Sequence, residues 1–234
     1  HEGLQGRAKV QTRPNERLAM SDTPPLQIGV VPVTPFQQNC MIVKCTATNK
    51  AAIVDPGGDA ERILDAVRQS GVDVEKILLT HGHLDHAGGV AAVVAALKAP
   101  VEGPHIAHKT LLEGISRQAG MYGVSGMTDA WSDRYLVEGD TVTVGALTFD
   151  VLFVPGHSPG WVVYVSRDAP VAIVGDTIFK DSIGRTDFPG CDHALFLRGI
   201  KSKLLTLPPE TVCLPGHGPA TTIGEEKSNN PFLQ

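Results

Sequence analysis

Four potential metal ligands lie within six residues of the sequence. Residues 80–86 read Thr-His-Gly-His-Leu-Asp-His, and the four candidates are His81, His83, Asp85 and His86. In an extended backbone His81 and His83 point to the same side, because side chains alternate with a period of two. The chain must then turn into a following helix, which directs His86 elsewhere. Four such ligands do not easily surround one tetrahedral ion, so the spacing favours two neighbouring ions.

The donor atoms of this segment limit the metals that could bind. Nitrogen and oxygen donors without cysteine suit Zn2+, Fe2+ or Mn2+ and disfavour a thiolate-rich structural zinc site. The alternative is a surface histidine cluster that holds no metal. Gly82, Gly88 and Gly89 favour the metal site, because glycine permits close backbone approach and tight turns.

Three further residues extend the candidate ligand set. His157 and His217 each follow a Pro-Gly pair at the end of an apolar segment. A single histidine of this kind is more often a core or surface residue, but beside the segment 81–86 we interpret both as ligands. Asp176 ends another apolar segment, where an isolated buried carboxylate would be costly without a cation. We therefore interpret Asp176 as a carboxylate that bridges two metals, in preference to a solvated turn residue.

The elements that must position these residues alternate between short strands and helices. Strands are predicted at 28–33, 41–44, 51–54, 75–80, 135–144, 147–154, 161–166, 171–174 and 212–214, the one at 75–80 running directly into His81. Helices are predicted from an N-cap at Asp59 to a stop at Gly71, and at 89–98, 109–118 and 193–205. Residues 120–123 are predicted to form a mobile loop. Two similar βα halves would thus converge at one edge of a single domain, residues 26–234.

The overall composition is that of a globular protein. The chain has 234 residues, 42% of them hydrophobic, which is enough for one large buried core. No apolar run approaches the roughly 18 residues that cross a bilayer, so we expect no membrane association. The formal charge of −5 argues against nucleic acid as a partner. Four cysteines without a CxxC pair favour reduced thiols in a cytoplasmic protein.

The first residues are set apart from this domain. Residues 1–25 are mostly polar, carry no signal-peptide pattern and include Met20, which could be the natural start. We expect this stretch to be a poorly ordered or added extension.

The ligand pattern resembles the metallo-β-lactamase superfamily, and specifically its short bacterial glyoxalase II-like branch. The resemblance rests on the candidate ligands and on three further segments, 55–58 (Asp-Pro-Gly-Gly), 184–190 (Gly-Arg-Thr-Asp-Phe-Pro-Gly) and 230–233 (Asn-Pro-Phe-Leu). It implies an α/β (α+β) fold, a four-layer αβ/βα sandwich of two mixed sheets. The members it is similar to lack the separate helical domain that binds glutathione in full-length glyoxalase II, which leaves glutathione recognition open. Asn229 departs from the pattern, since a histidine is expected there.

The resemblance also implies roles for the individual residues. His81, His83 and His157 would hold a first metal, Asp85, His86 and His217 a second, and Asp176 would bridge them. Zn2+ is favoured for both ions, with Fe2+ or Mn2+ as alternatives. Asp55 would contact the ligand segment without binding a metal. A simple Asp-Pro turn explains the presence of Asp55 equally well.

The implied activity is hydrolysis of a small acyl thioester such as S-D-lactoylglutathione. A hydroxide held between the two metals would attack the acyl carbonyl, with the catalytic carboxylates Asp85 and Asp176 serving mainly as ligands. A persulfide dioxygenase with a single iron and a lactonase are the alternatives. A β-lactamase, a nuclease and a binding module without catalysis are less favoured.

Substrate contacts are less sharply predicted. Arg185 could bind a substrate carboxylate, or could pair with Asp187 or Asp181. Tyr122 and Met121 could line the cleft or pack in the core. The remaining histidines, His105, His108 and His193, fit no ligand spacing and are interpreted as surface residues or as neighbours of the ligands.

Overall fold

Apolar residues that alternate along the strands build two β-sheets that pack face to face. The computed structural model describes residues 23–156, 158–187 and 191–234. The first sheet has the order β1 (Leu26–Val33), β2 (Gln38–Cys45), β3 (Lys50–Val54), β4 (Asp73–Leu78) and β5 (Val101–Glu102). Its first three strands are antiparallel, whereas β3, β4 and β5 run parallel.

The second sheet is also mixed. It consists of β6 (Thr141–Val144), β7 (Leu147–Phe153), β8 (Val162–Ser166), β9 (Val171–Gly175), β12 (Val212–Pro215) and β13 (Thr221–Thr222). Strands β6 to β9 form an antiparallel meander, and β12 pairs with β9 in parallel. A separate hairpin, β10 (Ile178–Phe179) and β11 (Ser182–Ile183), follows β9.

Helices cover the outer face of each sheet. They are α1 (Ala60–Ser70), α2 (Leu84–Ala87), α3 (Val90–Leu97), α4 (Lys109–Leu112), α5 (Ile115–Tyr122), α6 (His193–Gly199) and α7 (Ile223–Asn229). Ile63 of α1 and Val93 of α3 share one core with Ile53, while Phe196 of α6 shares another with Val174. A third core lies between the sheets. The layers therefore run helix, sheet, sheet, helix, which confirms the predicted four-layer sandwich.

Several predicted elements are placed differently by the structure. The strand predicted at 135–144 is wrong in its first half, because Asp140 accepts a hydrogen bond from the Val137 N–H and Gly139 has a φ of 85°, which makes a turn. The helix predicted at 89–98 is preceded by a separate turn of helix, α2. Residues 120–122, predicted as a mobile loop, belong to α5. Asp59 does not cap α1 with its side chain, since its carboxylate accepts from the Thr34 N–H.

Other expectations concern the ends of elements and the chain start. The strand predicted to run into His81 ends at Leu78. Strands β5, β10, β11 and β13 and helix α7 were not predicted; all but α7 are two residues long. The expected extension lies almost wholly outside the described residues, as does the candidate ligand His157. Within the described ranges, none of the helices has the length and apolar character needed to span a bilayer.

Candidate metal centre

The candidate ligands lie at the ends of two pairs of parallel strands. Asp55 follows β3 and the segment 81–86 follows β4, and these strands are neighbours in the first sheet. Asp176 follows β9 and His217 follows β12, which are neighbours in the second. Because the carboxyl ends of parallel neighbours lie at the same edge, each sheet delivers its polar residues to one place. The two edges meet over the space between the sheets.

Four side chains converge closely at this edge. Asp85 Oδ2 lies 3.0 Å from His217 Nε2 and 3.7 Å from His86 Nε2. Asp176 Oδ1 lies 3.4 Å from His86 Nε2, and its Oδ2 lies 3.6 Å from His217 Nε2. One ligand atom each from Asp85, His86 and His217 fits within 4.8 Å, a spacing that suits a single ion.

His81 and His83 stand beside this group. The His81 ring centroid lies 3.9 Å from that of His86 and 4.7 Å from that of His83. The His81 ring also stacks on the buried indole of Trp161, with ring centroids 3.6 Å apart and an interplanar angle of 17°. Five of the predicted ligands that the structure describes are therefore contiguous with Asp176, and the remaining predicted ligand, His157, lies outside the described residues.

Asp55 also lies within ligand distance of His81 and His86. Its oxygens are already engaged, however: they accept hydrogen bonds from the Thr80 N–H at 2.8 Å and the Thr80 hydroxyl at 2.6 Å, and one lies 2.9 Å from His86 Nδ1. A carboxylate bound to Nδ1 holds the proton there and turns Nε2 toward Asp176. The geometry therefore favours Asp55 as the residue that orients His86, and a simple Asp-Pro turn does not account for it.

The donor set fits a divalent metal. His86 Nε2 and Asp176 Oδ1 are buried and make no hydrogen bond among the described residues. Burying polar atoms without a partner costs free energy, and folded proteins rarely leave them so. Two carboxylates and several imidazoles that point at a common space would satisfy these atoms by binding a cation.

The protonation of the metal-free centre leads to the same conclusion. Burial opposes ionisation of Asp85, but the charge of His86 and the hydrogen bond with His217 hold the pKa of Asp85 well below its usual range. Burial likewise disfavours the charged form of His86, yet the carboxylates of Asp176 and Asp85 raise its pKa well above the ordinary value. Protons on the histidines thus balance the carboxylates when no cation does so.

A cleft of about 830 Å3 opens above these residues. Its walls are Phe36, Leu84, Leu111, Gln118, Met121, Tyr122, Ser158, Pro159, Phe179, Lys180, Ser182, Gly184, Arg185, Gly218 and Pro219, and its floor includes His83, Asp85, Asp176 and His217. Large apolar groups thus adjoin a polar floor, the arrangement of a small-molecule site.

The two predicted substrate residues both line this cleft. Tyr122 is 60% exposed and packs edge-on against Phe36, with ring centroids 6.3 Å apart, so the alternative of core packing is wrong for it. Arg185 pairs with Asp187 through contacts of 2.8 and 3.0 Å, and both side chains are exposed. The pairing of Arg185 with Asp187, predicted as the alternative to binding a substrate carboxylate, is therefore present on the wall of the cleft.

Sequence reasoning missed other residues of the site. Phe36, Phe179 and Lys180 line the cleft, and no spacing rule singled them out because each lies in a short turn or hairpin. His108, interpreted as a surface residue or a neighbour of the ligands, is fully buried next to the ligand segment. His193 bonds with Thr186 on the exposed side. Asn229 is exposed at the end of α7, and nothing in the structure assigns it a role.

Comparison with known proteins adds to this geometry. The model of the metallo-beta-lactamase superfamily matches residues 33–217. The chain is 38% identical over 209 residues to hydroxyacylglutathione hydrolase GloC of Haemophilus influenzae, covering 89% of this chain and 98% of that protein. It is 37% identical over 204 residues to the probable metallo-hydrolase YqgX of Bacillus subtilis, covering 87% and 95%.

Solved structures show the same similarity. BLEG-1 B3 metallo-beta-lactamase superposes with a TM-score of 0.83 at 38% identity, covering 89% of this chain and 100% of that one. TTHA1623, in a di-iron-bound form, superposes with a TM-score of 0.80 at 38% identity, covering 88% and 100%.

Proposed function

Since the chain belongs to the metallo-β-lactamase superfamily, we propose that it is a dinuclear-metal hydrolase that cleaves a small acyl thioester such as S-D-lactoylglutathione. The observation that carries the proposal is the convergence of Asp85, Asp176 and His217 on the floor of a cleft, with the buried His86 in contact with both carboxylates. The 38% identity to a hydroxyacylglutathione hydrolase, over nearly its whole length, supports the thioester in particular.

In this proposal the chain holds two metals. His81, His83 and His157 would bind the first, Asp85, His86 and His217 would bind the second, and Asp176 would be a ligand to both. The place of His157 rests on sequence. When bound, two such cations supply a nucleophile from water at neutral pH and polarise the substrate carbonyl. Zn2+ is the proposed metal; Fe2+ remains an alternative that the same donors accept, and a relative has been described with two irons.

The residues of the chain then divide the remaining work. Asp55 keeps Nε2 of His86 aimed at the floor of the cleft. Phe36 and Tyr122 form an apolar wall against which the substrate packs. Lys180 and Arg185, on the opposite hairpin and the following loop, offer positive charge to an anionic thiol carrier. A thiolate leaves readily, so the proposal requires no side chain to protonate it.

The test is hydrolysis of S-D-lactoylglutathione by protein shown to carry two metals. Loss of the thioester absorbance is followed for the wild type, for Asp176→Asn and for the control Glu210→Gln, an exposed carboxylate outside the cleft. We expect turnover in the wild type and the control, and only background in Asp176→Asn. Two bound metals without thioester turnover would overturn the thioester assignment and leave the metal centre standing.

A second candidate is β-lactam hydrolysis, because one 38% identical structure is that of a B3 metallo-beta-lactamase. A chromogenic cephalosporin, a lactone and glutathione persulfide, each offered under the same conditions, would rank the alternatives by kcat/KM, with oxygen uptake followed for the persulfide. A small-molecule partner, the absence of nucleic acid binding and a cytoplasmic location stay predictions from sequence.

A further inference from the structure

His108 lies between the two loops that carry the proposed ligands of the first metal. It is fully buried, at the end of the 3-10 turn Ile106–His108. Its Nδ1 lies 3.1 Å from the backbone nitrogen of Gly82, the residue between His81 and His83. Its Nε2 lies 2.5 Å from the hydroxyl oxygen of Ser158, the residue that follows His157 in sequence.

The packing around His108 is close on both loops and is closer at Gly160 than at Gly82. A Cβ on Gly160 would lie 2.6 Å from His108 Cγ, and one on Gly82 would lie 3.3 Å from His108 Cβ. Any larger residue at 160 would collide with the imidazole, so glycine is required there because of His108. The ring thus fills the space between the two loops.

The hydrogen bonds determine how His108 can act. Both Gly82 and Gly160 direct a backbone N–H at the ring, the latter at Nε2 over 3.1 Å, and a neutral imidazole has one acceptor nitrogen. We assign the tautomer with hydrogen on Nε2, because it gives each ring nitrogen a partner: Nδ1 accepts from Gly82 and Nε2 donates to Ser158. In this tautomer Nε2 does not accept from the Gly160 N–H, whereas in the other tautomer Nδ1 would not accept from Gly82. Both nitrogens are then engaged with the loops, which excludes His108 as a further ligand.

We propose that His108 is a positioning residue for the first metal, holding the His81–His83 backbone in register with residues 158–160, which follow His157 in sequence. The inference rests on the proposed function, since it assumes a metal at these histidines. Residues that hold metal ligands in place change metal affinity or activity by about 10–100-fold when they are replaced. The same loss is expected here, confined to one of the two ions.

The experiment measures binding of Zn2+ by competition with a chromophoric chelator, together with the visible spectrum of the Co2+-substituted protein. The variants are His108→Leu, which removes both hydrogen bonds, His108→Asn, which keeps an acceptor near Nδ1, and His108→Gln, which keeps a donor near Nε2. Ser158→Ala removes the partner of Nε2. Leu112→Ala is the structural control, because Leu112 is equally buried in the neighbouring α4 but makes none of these hydrogen bonds.

We expect His108→Leu to weaken one metal by roughly 10–100-fold and to alter the Co2+ spectrum, with the second metal unchanged. Asn and Gln should each restore part of the affinity, and Ser158→Ala should add little to His108→Leu, since both remove one shared contact. Leu112→Ala should melt at a lower temperature and bind both metals as the wild type does. If His108→Leu fails to fold, the Asn and Gln variants carry the test.

The outcomes separate the two claims. Wild-type affinity for both metals in every His108 variant, with a lowered melting temperature as in Leu112→Ala, would reduce His108 to packing and overturn the inference. A wild type that binds two metals but cleaves no thioester would overturn the proposed function and leave the role of His108 standing. A wild type that binds no metal overturns both.

Discussion

At the scale of single residues, protonated histidines and ionised carboxylates attract one another in the metal-free centre. His86 and His217 lie among the carboxylates of Asp85 and Asp176. Burial opposes charge on His217, but the hydrogen bond with Asp85 and the charge of Asp176 raise its pKa above the ordinary value. Burial also opposes ionisation of Asp176, while His86 lowers the pKa of that carboxyl. Protons and metal ions therefore compete for one set of donor atoms.

This competition predicts opposite pH dependences with and without metal. A histidine whose pKa is raised by folding stabilises the metal-free protein fully below its unfolded pKa, about 6.5, and that contribution is lost as the pH rises through the folded pKa. The carboxyl groups, whose pKa values are lowered, contribute a constant amount above about pH 4. Burial lowers the pKa of His83, so the contribution of His83 rises with pH and is complete above about pH 7.5. We therefore expect the free energy of unfolding of metal-free protein to fall above that pH, as the raised pKa values of His86 and His217 are passed, whereas metal affinity rises.

Urea denaturation of metal-free protein at a series of pH values checks the first half of this prediction, and chelator competition at the same values checks the second. His217→Gln should make the free energy of unfolding less dependent on pH, because the variant lacks the His217 imidazole and its raised pKa. A metal-free protein whose stability rises steadily over this interval would contradict the assignment of protons to His86 and His217.

At the scale of elements, α7 holds one wall of the cleft in place. Glu226 is buried in α7, and its carboxylate accepts hydrogen bonds from the Asp181 N–H at 3.0 Å and from Asn230 Nδ2 at 2.7 Å. Asn230 Nδ2 also donates to the Ser182 carbonyl at 2.9 Å. Asp181 lies in the turn of the β10–β11 hairpin, and the hairpin residues Phe179, Lys180 and Ser182 line the cleft. The last helix thus acts on the site without touching it.

We predict that Glu226→Gln loosens this hairpin. The carboxylate accepts from the Asp181 N–H and Asn230 Nδ2 at Oε2 and from the Thr221 hydroxyl at Oε1. The amide is neutral and carries hydrogens in place of one of these oxygens, so the bonds around it weaken, at a cost of about 1–3 kcal/mol. KM for the thioester should rise more than kcat falls, because the floor of the cleft is unchanged. Steady-state kinetics and urea denaturation measure the two effects, with the exposed neighbour Glu225→Gln as the control. Equal KM values in the two variants would show that α7 does not influence substrate binding in the cleft.

At the scale of the whole molecule, a buried tyrosine ties one sheet to the other. Tyr164 of β8 lies in the core between the sheets, and its hydroxyl donates to the Leu79 carbonyl, just beyond β4, at 2.6 Å. Burial, with the nearby charges of Asp55 and Glu102, raises the Tyr164 pKa well above its usual range, so the hydroxyl stays protonated. This bond fixes the sheets relative to each other two residues before the ligand segment begins.

Tyr164→Phe should therefore destabilise the fold while sparing the metals. It leaves the Leu79 carbonyl without this partner in the core, which costs about 1–3 kcal/mol. Urea denaturation measures the loss, and the metal content of the purified protein should stay that of the wild type. Tyr135→Phe is the matched control, since Tyr135 is only half-buried and makes no hydrogen bond through its hydroxyl among the described residues. An equal effect of the two variants would refute the link between the sheets.

Local pattern was enough to predict a mixture of helices and strands and to single out the candidate ligands, whereas the family and its four-layer fold came from the resemblance that those residues carry. The donors at 81–86 lie close together because they are close in sequence. The alternation of apolar residues with a period of two at 147–153 predicts a strand without information from other segments. The order of strands that brings Asp176 and His217 to the same edge came with the resemblance, since no local period encodes which strands become neighbours.

The tertiary structure alone decided which distant groups meet. His108 joins Gly82, 26 residues away, and Ser158, 50 residues away. Short elements such as the β10–β11 hairpin escaped notice because two residues carry no measurable period. Such contacts form when chain reversals bring separate segments into one packed space, where fit and hydrogen bonding, rather than local preference, determine the partners.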